Sequence, residues 1–161
     1  MKKTVIATIV ALACAGTASA FIDSYVIKRD KLPEEAQEML ETYFPKAKVS
    51  LIKIDRHLLK KTDYDVKMTN GTLIEFSNSG KWKVVDCGKR EVPEELVPKA
   101  IRRWLKKNEP DLKVNMVQKK TASWLIRLSD GTVRKFDLLG TYKGIQTADE
   151  AAEAEEAEEE S

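Results

Sequence analysis

Histidine is almost missing from this chain of 161 residues; the only one is His57. A zinc site or a histidine-based acid/base pair needs partners of the right type at the right spacing. His57 has none nearby: it lies in the charged stretch Asp55 to Asp63, between two strand-like segments. Cysteine is nearly as scarce, with two residues, Cys14 and Cys87. If Cys14 leaves with an N-terminal leader, Cys87 has no internal partner and no disulfide closes. Cys87 then reads as a small apolar residue at a strand end, the sharper alternative being an intermolecular disulfide or a reactive thiol. No His-Glu-x-x-His, Gly-x-Ser-x-Gly, phosphate loop or Gly-x-Gly-x-x-Gly occurs. Past the N-terminus no run is apolar enough to cross a bilayer as a helix. These absences point away from an enzyme, and no catalytic, cofactor-binding or metal-binding residue is assigned.

The two ends are strongly biased. Lys2-Lys3, the apolar run Val5 to Ala15 and the small residues Ala18-Ser19-Ala20 form the pattern of a secretory signal peptide. Cleavage is expected after Ala20. Lipidation of Cys14 is disfavoured, because Leu12 stands one place too close to it for the usual lipobox. At the other end, Thr147 to Ser161 carries eight acidic residues and no basic one. With no apolar stripe to bury, it is expected to be a disordered tail that solubilises the protein or shields a basic face. Setting aside Lys2, Lys3 and those eight acids leaves 26 basic residues against 18 acidic ones.

Between the ends the sequence repeats itself. Tyr64, Asn70-Gly71, Phe76, Gly80 and Trp82 recur in type and spacing as Trp124, Asp130-Gly131, Phe136, Gly140 and Tyr142. Each copy opens on Pro-Glu-Glu. Pro33-Glu34-Glu35 leads into Ala36, Met39, Leu40, Tyr43 and Phe44, the apolar spacing of one helix face, which Pro45 ends. Pro93-Glu94-Glu95 leads into Val97, Ala100, Ile101, Trp104 and Leu105, ended by Asn108 and Pro110. Four strands are expected after each helix: Val49 to Ile54, Tyr64 to Met68, Leu73 to Phe76 and Trp82 to Val85, then Val114 to Gln118, Trp124 to Leu128, Val133 to Phe136 and Tyr142 to Ile145. Asn70-Gly71 and Asp130-Gly131 are expected to close two-residue hairpins.

This doubled pattern, with Tyr43-Phe44-Pro45 and Asp137 besides the residues above, resembles the PepSY-like family, also described as similar to β-lactamase-inhibitor proteins. The likeness runs from about Leu32 to Tyr142. It implies an α+β fold of two tandem repeats, each a helix plus an antiparallel four-stranded sheet. It also implies export to the periplasm of a Gram-negative bacterium and a role in binding or inhibition. Ser77 departs from the Asp usual at its place, and Leu138-Leu139 is an odd choice for an exposed turn. The expected organisation is a signal peptide over 1–20, an N-terminal segment over 21–30, repeats over 31–88 and 89–146, and the acidic tail over 147–161.

The motif positions are structural, so contact residues are sought elsewhere. Leu58, Leu59 and Lys60 lie in the loop after the first strand, as an anchor for a partner or as a pair folded back on the sheet end. If helices cover Tyr64, Val66, Phe76, Trp124, Ile126 and Phe136, the other sheet face stays open. It is expected to present Leu73, Lys83, Val85, Leu125, Arg127, Val133 and Lys135, with Lys67 and Glu75. Lys99, Arg102, Arg103, Lys106 and Lys107 form a basic helix flank; an exported protein rarely meets nucleic acid, so no nucleic-acid partner is expected. The resulting reading is a non-enzymatic periplasmic binding module that recognises an envelope protein or peptide, inhibition of an envelope hydrolase being one form of it. The alternative is an envelope structural or anionic-ligand-binding protein that uses the basic flank.

Overall fold

The computed structural model describes residues 24–55 and 62–146. The chain order is β1 (Ser24–Val26), α1 (Glu34–Tyr43), β2 (Val49–Asp55), β3 (Asp63–Met68), β4 (Leu73–Phe76), β5 (Trp82–Asp86), α2 (Lys99–Asn108), β6 (Val114–Lys119), β7 (Ser123–Leu128), β8 (Val133–Asp137) and β9 (Tyr142–Ile145). All nine strands form one sheet in sequence order, each antiparallel to the next.

This corrects the expected fold class. The chain does not build two helix-plus-four-strand units; it builds one continuous, mostly β sheet with two ten-residue α-helices. The join is between β5 and β6, which pair through Val84↔Gln118, Val85↔Val117 and Asp86↔Met116. A free inner edge would leave N–H and C=O groups unpaired, and a unit of about sixty residues buries too little apolar surface to be robust. Pairing β5 with β6 removes both difficulties. The ninth strand, β1, comes from a segment to which no strand had been assigned.

The core is a row of side chains that crosses the join. Ile52, Val66, Ile74, Val85, Val117 and Ile126 are successive cross-strand neighbours on one face, and none is more than 1% exposed. Ala36, Met39 and Leu40 of α1 and Ile101 and Leu105 of α2 belong to the same buried cluster. The next position in the row is Arg134 of β8, between Ile126 and the exposed Ile145 of β9. Its guanidinium meets Glu109, just past α2, at 2.7 Å, so an ion pair ties this end of the sheet to the helix layer.

Two local expectations also change. Pro93-Glu94-Glu95 opens only a 3-10 turn, Glu94–Leu96, and α2 starts at Lys99 behind Pro98. Proline has no N–H to donate and clashes with the turn before it, so no helix runs through Pro98. The hairpin at Asn70-Gly71 is not a two-residue turn. Only Gly71 has positive φ, at 84°. Gly71 N–H donates to Met68 O, Met68 N–H to Thr72 O, and Thr72 N–H to the Asn70 carboxamide. This is a three-residue loop with glycine in the left-handed position, and Asp130-Gly131 repeats it.

Candidate functional site

Strand pairing brings two rows of side chains onto the face away from the helices. One runs Tyr25, Lys53, Asp65, Glu75, Val84, Gln118, Leu125, Lys135 and Gly144 from β1 to β9. The other runs Leu51, Lys67, Leu73, Asp86, Met116, Arg127 and Val133 from β2 to β8. Among the described residues no element packs over this face as the helices pack over the other.

The face differs between its ends. Over β1 to β4 there is a hollow of about 320 Å³ with Tyr25, Leu51 and Leu73 on its walls. These three are 59%, 37% and 47% exposed; Lys67 stands between Leu51 and Leu73 in the sheet, and Lys53 lines the hollow with it. Asp65 and Glu75 face each other across β3 and β4 inside it. Partial burial raises the pKa of Asp65, with Asp55 adding to it and Lys53 opposing. Burial also raises Glu75, with Asp65 adding to it and Lys83 opposing. Lys83 is itself held by Asp63 at 2.7 Å.

The β6 to β8 end is more closed. Leu125 and Met116, though on the uncovered face, are 6% and 9% exposed. Arg127 forms an ion pair with Asp86. Burial alone would raise the Asp86 carboxyl, but hydrogen bonds from Arg127 and the Gly88 N–H, with the Arg127 charge, hold it below the ordinary carboxylate range. Cys87, next along the chain, is 3% exposed, and burial pushes its thiol up, so it behaves as an inert core residue.

Residues 62–144 match the family described as "Putative beta-lactamase-inhibitor-like, PepSY-like". The chain belongs to the PepSY-like family. Three solved structures resemble this PepSY-like protein. A "putative periplasmic protein of unknown function" from Bacteroides vulgatus is 31% identical, with a TM-score of 0.74 over 78% of this chain and 99% of its own. A "putative calcium-regulated periplasmic protein" from Bacteroides thetaiotaomicron is 32% identical, with a TM-score of 0.72 over 78% and 97%. A second "putative periplasmic protein" from B. vulgatus is 32% identical, with a TM-score of 0.73 over 80% and 99%. No curated protein matches the sequence. Among the described residues no helix is long and apolar enough to cross a membrane.

Against these neighbours the expected contact residues of the PepSY-like chain sort unevenly. Leu58, Leu59, Lys60 and His57 lie outside the described residues, as do the expected signal peptide and acidic tail. Leu73, Lys83, Arg127, Val133 and Lys135 are on or beside the open face. Val85 is not: it is 0% exposed and faces the helices, opposite Ile74. The reason is a register shift between Glu75 and Phe76, where β5 has an extra residue; it turns Val84, not Val85, onto the open side. Leu125 is on the open face but buried there. Tyr25 and Leu51 were missed. A strand as short as Ser24–Val26 shows no period in sequence, and Leu51 reads as an ordinary strand residue until β1 and β4 frame it.

Proposed function

We propose that this chain is a non-enzymatic periplasmic binding protein, and that the Tyr25–Leu51–Leu73 hollow on the open face receives an extended segment of an envelope protein or peptide. The observation that carries the reading is the Asp65–Glu75 pair. Like charges directly opposite one another in a sheet destabilise it, and Lys53, which faces Asp65 from β2, offsets this only in part, since both carboxyls stay raised. A lysine or arginine side chain flanked by apolar residues would relieve that repulsion while covering the hydrophobic surface. Inhibition of an envelope hydrolase is one consequence such binding could have. Calcium regulation, which the name of one neighbour carries, is not transferred: among the described residues no three histidine, cysteine or carboxylate side chains converge as a metal site requires.

Affinity capture from envelope extract tests the reading. The native protein is expected to retain a stoichiometric partner that is lost with Leu51→Asp/Leu73→Asp and weakened with Glu75→Gln. Identical captures by native and variant proteins would remove the hollow from consideration.

A further inference from the structure

The helix-bearing side of the molecule carries a second surface, on α2 and the β8–β9 turn. Lys99, Arg103, Lys106 and Lys107 are exposed on α2. Among the described residues none of the four is in an ion pair with a carboxylate, whereas Arg102, on the inner flank, pairs with Glu94 at 2.9 Å. Beside them is an apolar projection. Leu138 and Leu139, at the tip of the β8–β9 turn, are 51% and 85% exposed, Leu139 being the most exposed large hydrophobic residue described.

Their exposure is built in. The Asp137 carboxylate accepts the Leu139 and Thr141 N–H groups at 3.0 and 2.9 Å and meets Lys143 at 3.1 Å. Gly140 presses the turn on the start of α2: a Cβ on it would stand 2.6 Å from the Ala100 Cβ. The leucines are thus presented on a locked turn within one helical turn of Lys99 and Arg103.

The molecule supplies its own control. The β4–β5 turn has the same backbone: the Gly80 N–H donates to Ser77 O at 2.9 Å, and Gly80 packs on the start of α1 as Gly140 does on α2. Its tip is Asn78-Ser79, and the exposed residues of α1 are Glu34, Glu35, Glu38, Glu41 and Thr42. The turn therefore does not require leucine, and the helix position does not require lysine. Paired leucines and clustered cations occur together on one helix and turn and on neither of the other two.

We propose that α2 and the Leu138-Leu139 turn form a docking surface for an anionic phospholipid bilayer. Clustered cations attract acidic headgroups, each Lys or Arg near the surface contributing roughly five-fold in partition, while an apolar tip enters the boundary between headgroups and acyl chains. A convex tip suits a deformable bilayer; a peptide partner would need a groove to receive it. The acidic α1 is repelled by the same surface, so contact is confined to the α2 end. The open face of the sheet, on the opposite side, is left uncovered. The proposal does not depend on what that face binds.

Sedimentation of the full exported chain with vesicles decides the matter. Binding is expected to mixed phosphatidylcholine–phosphatidylglycerol vesicles, not to phosphatidylcholine alone, and to weaken as salt rises. Leu138→Ser/Leu139→Ser is expected to weaken it about ten-fold, and Lys99→Gln/Arg103→Gln/Lys106→Gln/Lys107→Gln to abolish it. Leu73→Ser, on the other face, should leave it unchanged, and thermal melts should show every variant folded. Three results would each overturn the proposal. The first is no sedimentation with mixed vesicles. The second is binding indifferent to the leucines, which indicates attraction by charge alone, as to any anionic polymer. The third is vesicle-independent self-association lost with the same leucines, which indicates the acidic α1 of a second copy.

Discussion

Asp65 and Glu75 are where the protein gives up stability on its surface. Both carboxyls hold their protons more tightly in the folded chain than in free peptides. Below the ordinary carboxyl values, 3.8 for Asp and 4.5 for Glu, both states are protonated and nothing is lost. As pH rises from there through the raised folded values, the unfolded chain ionises first and the fold loses stability; above them the penalty is constant. Glu75→Gln is therefore expected to stabilise the protein at neutral pH by about 0.5 kcal/mol, a small figure because both side chains still reach solvent. The gain should fade on acidification toward pH 4.5. Denaturation at several pH values checks this, and an equal gain at every pH would show that charge is not the cause. Asp86 has the opposite sign: its lowered pKa adds stability at neutral pH that is lost as pH falls through its folded value.

Each helix is fixed to the sheet through the glycine of the strand turn beneath its first turn. Gly140 has φ 84° and almost no room over it, since a Cβ would stand 2.6 Å from the Ala100 side chain. Gly71 has the same φ and nothing within 4 Å. The two positions separate backbone strain from packing. Gly71→Ala is expected to cost about 1 kcal/mol, the left-handed penalty alone. Gly140→Ala is expected to cost about 2–4 kcal/mol, because α2 must also move off the turn. Equal losses in chemical denaturation would mean that the helix yields freely. The aromatic side chains on this half reinforce the seat: Trp104 of α2 stacks on Tyr142 at 4.3 Å and meets the edge of Phe136 at 5.3 Å.

At the scale of the molecule, the sheet and its core row run through the β5–β6 join without a break. The protein is therefore expected to unfold in one transition, with equal calorimetric and van't Hoff enthalpies. Val117→Ala at the join should lower that single midpoint rather than split it. Two resolved transitions would show halves that fold on their own. The two faces of the sheet are then separate surfaces of one body, so the two proposed contacts can be tested independently.

The placement of eight of the nine strands, the two apolar helix faces and the side of the sheet that is buried could be read from residue order, because a period of two or of three to four is a local property that each segment carries alone. The partner of each sheet edge could not, since an edge left open and an edge joined to β6 have the same local pattern. Nor could the face of Val85, which turns on one extra residue in β5, or the Tyr25–Leu51–Leu73 hollow, assembled from three strands that are apart in sequence. Those features depend on which backbone groups find hydrogen-bond partners across the chain, and only the folded chain settles that.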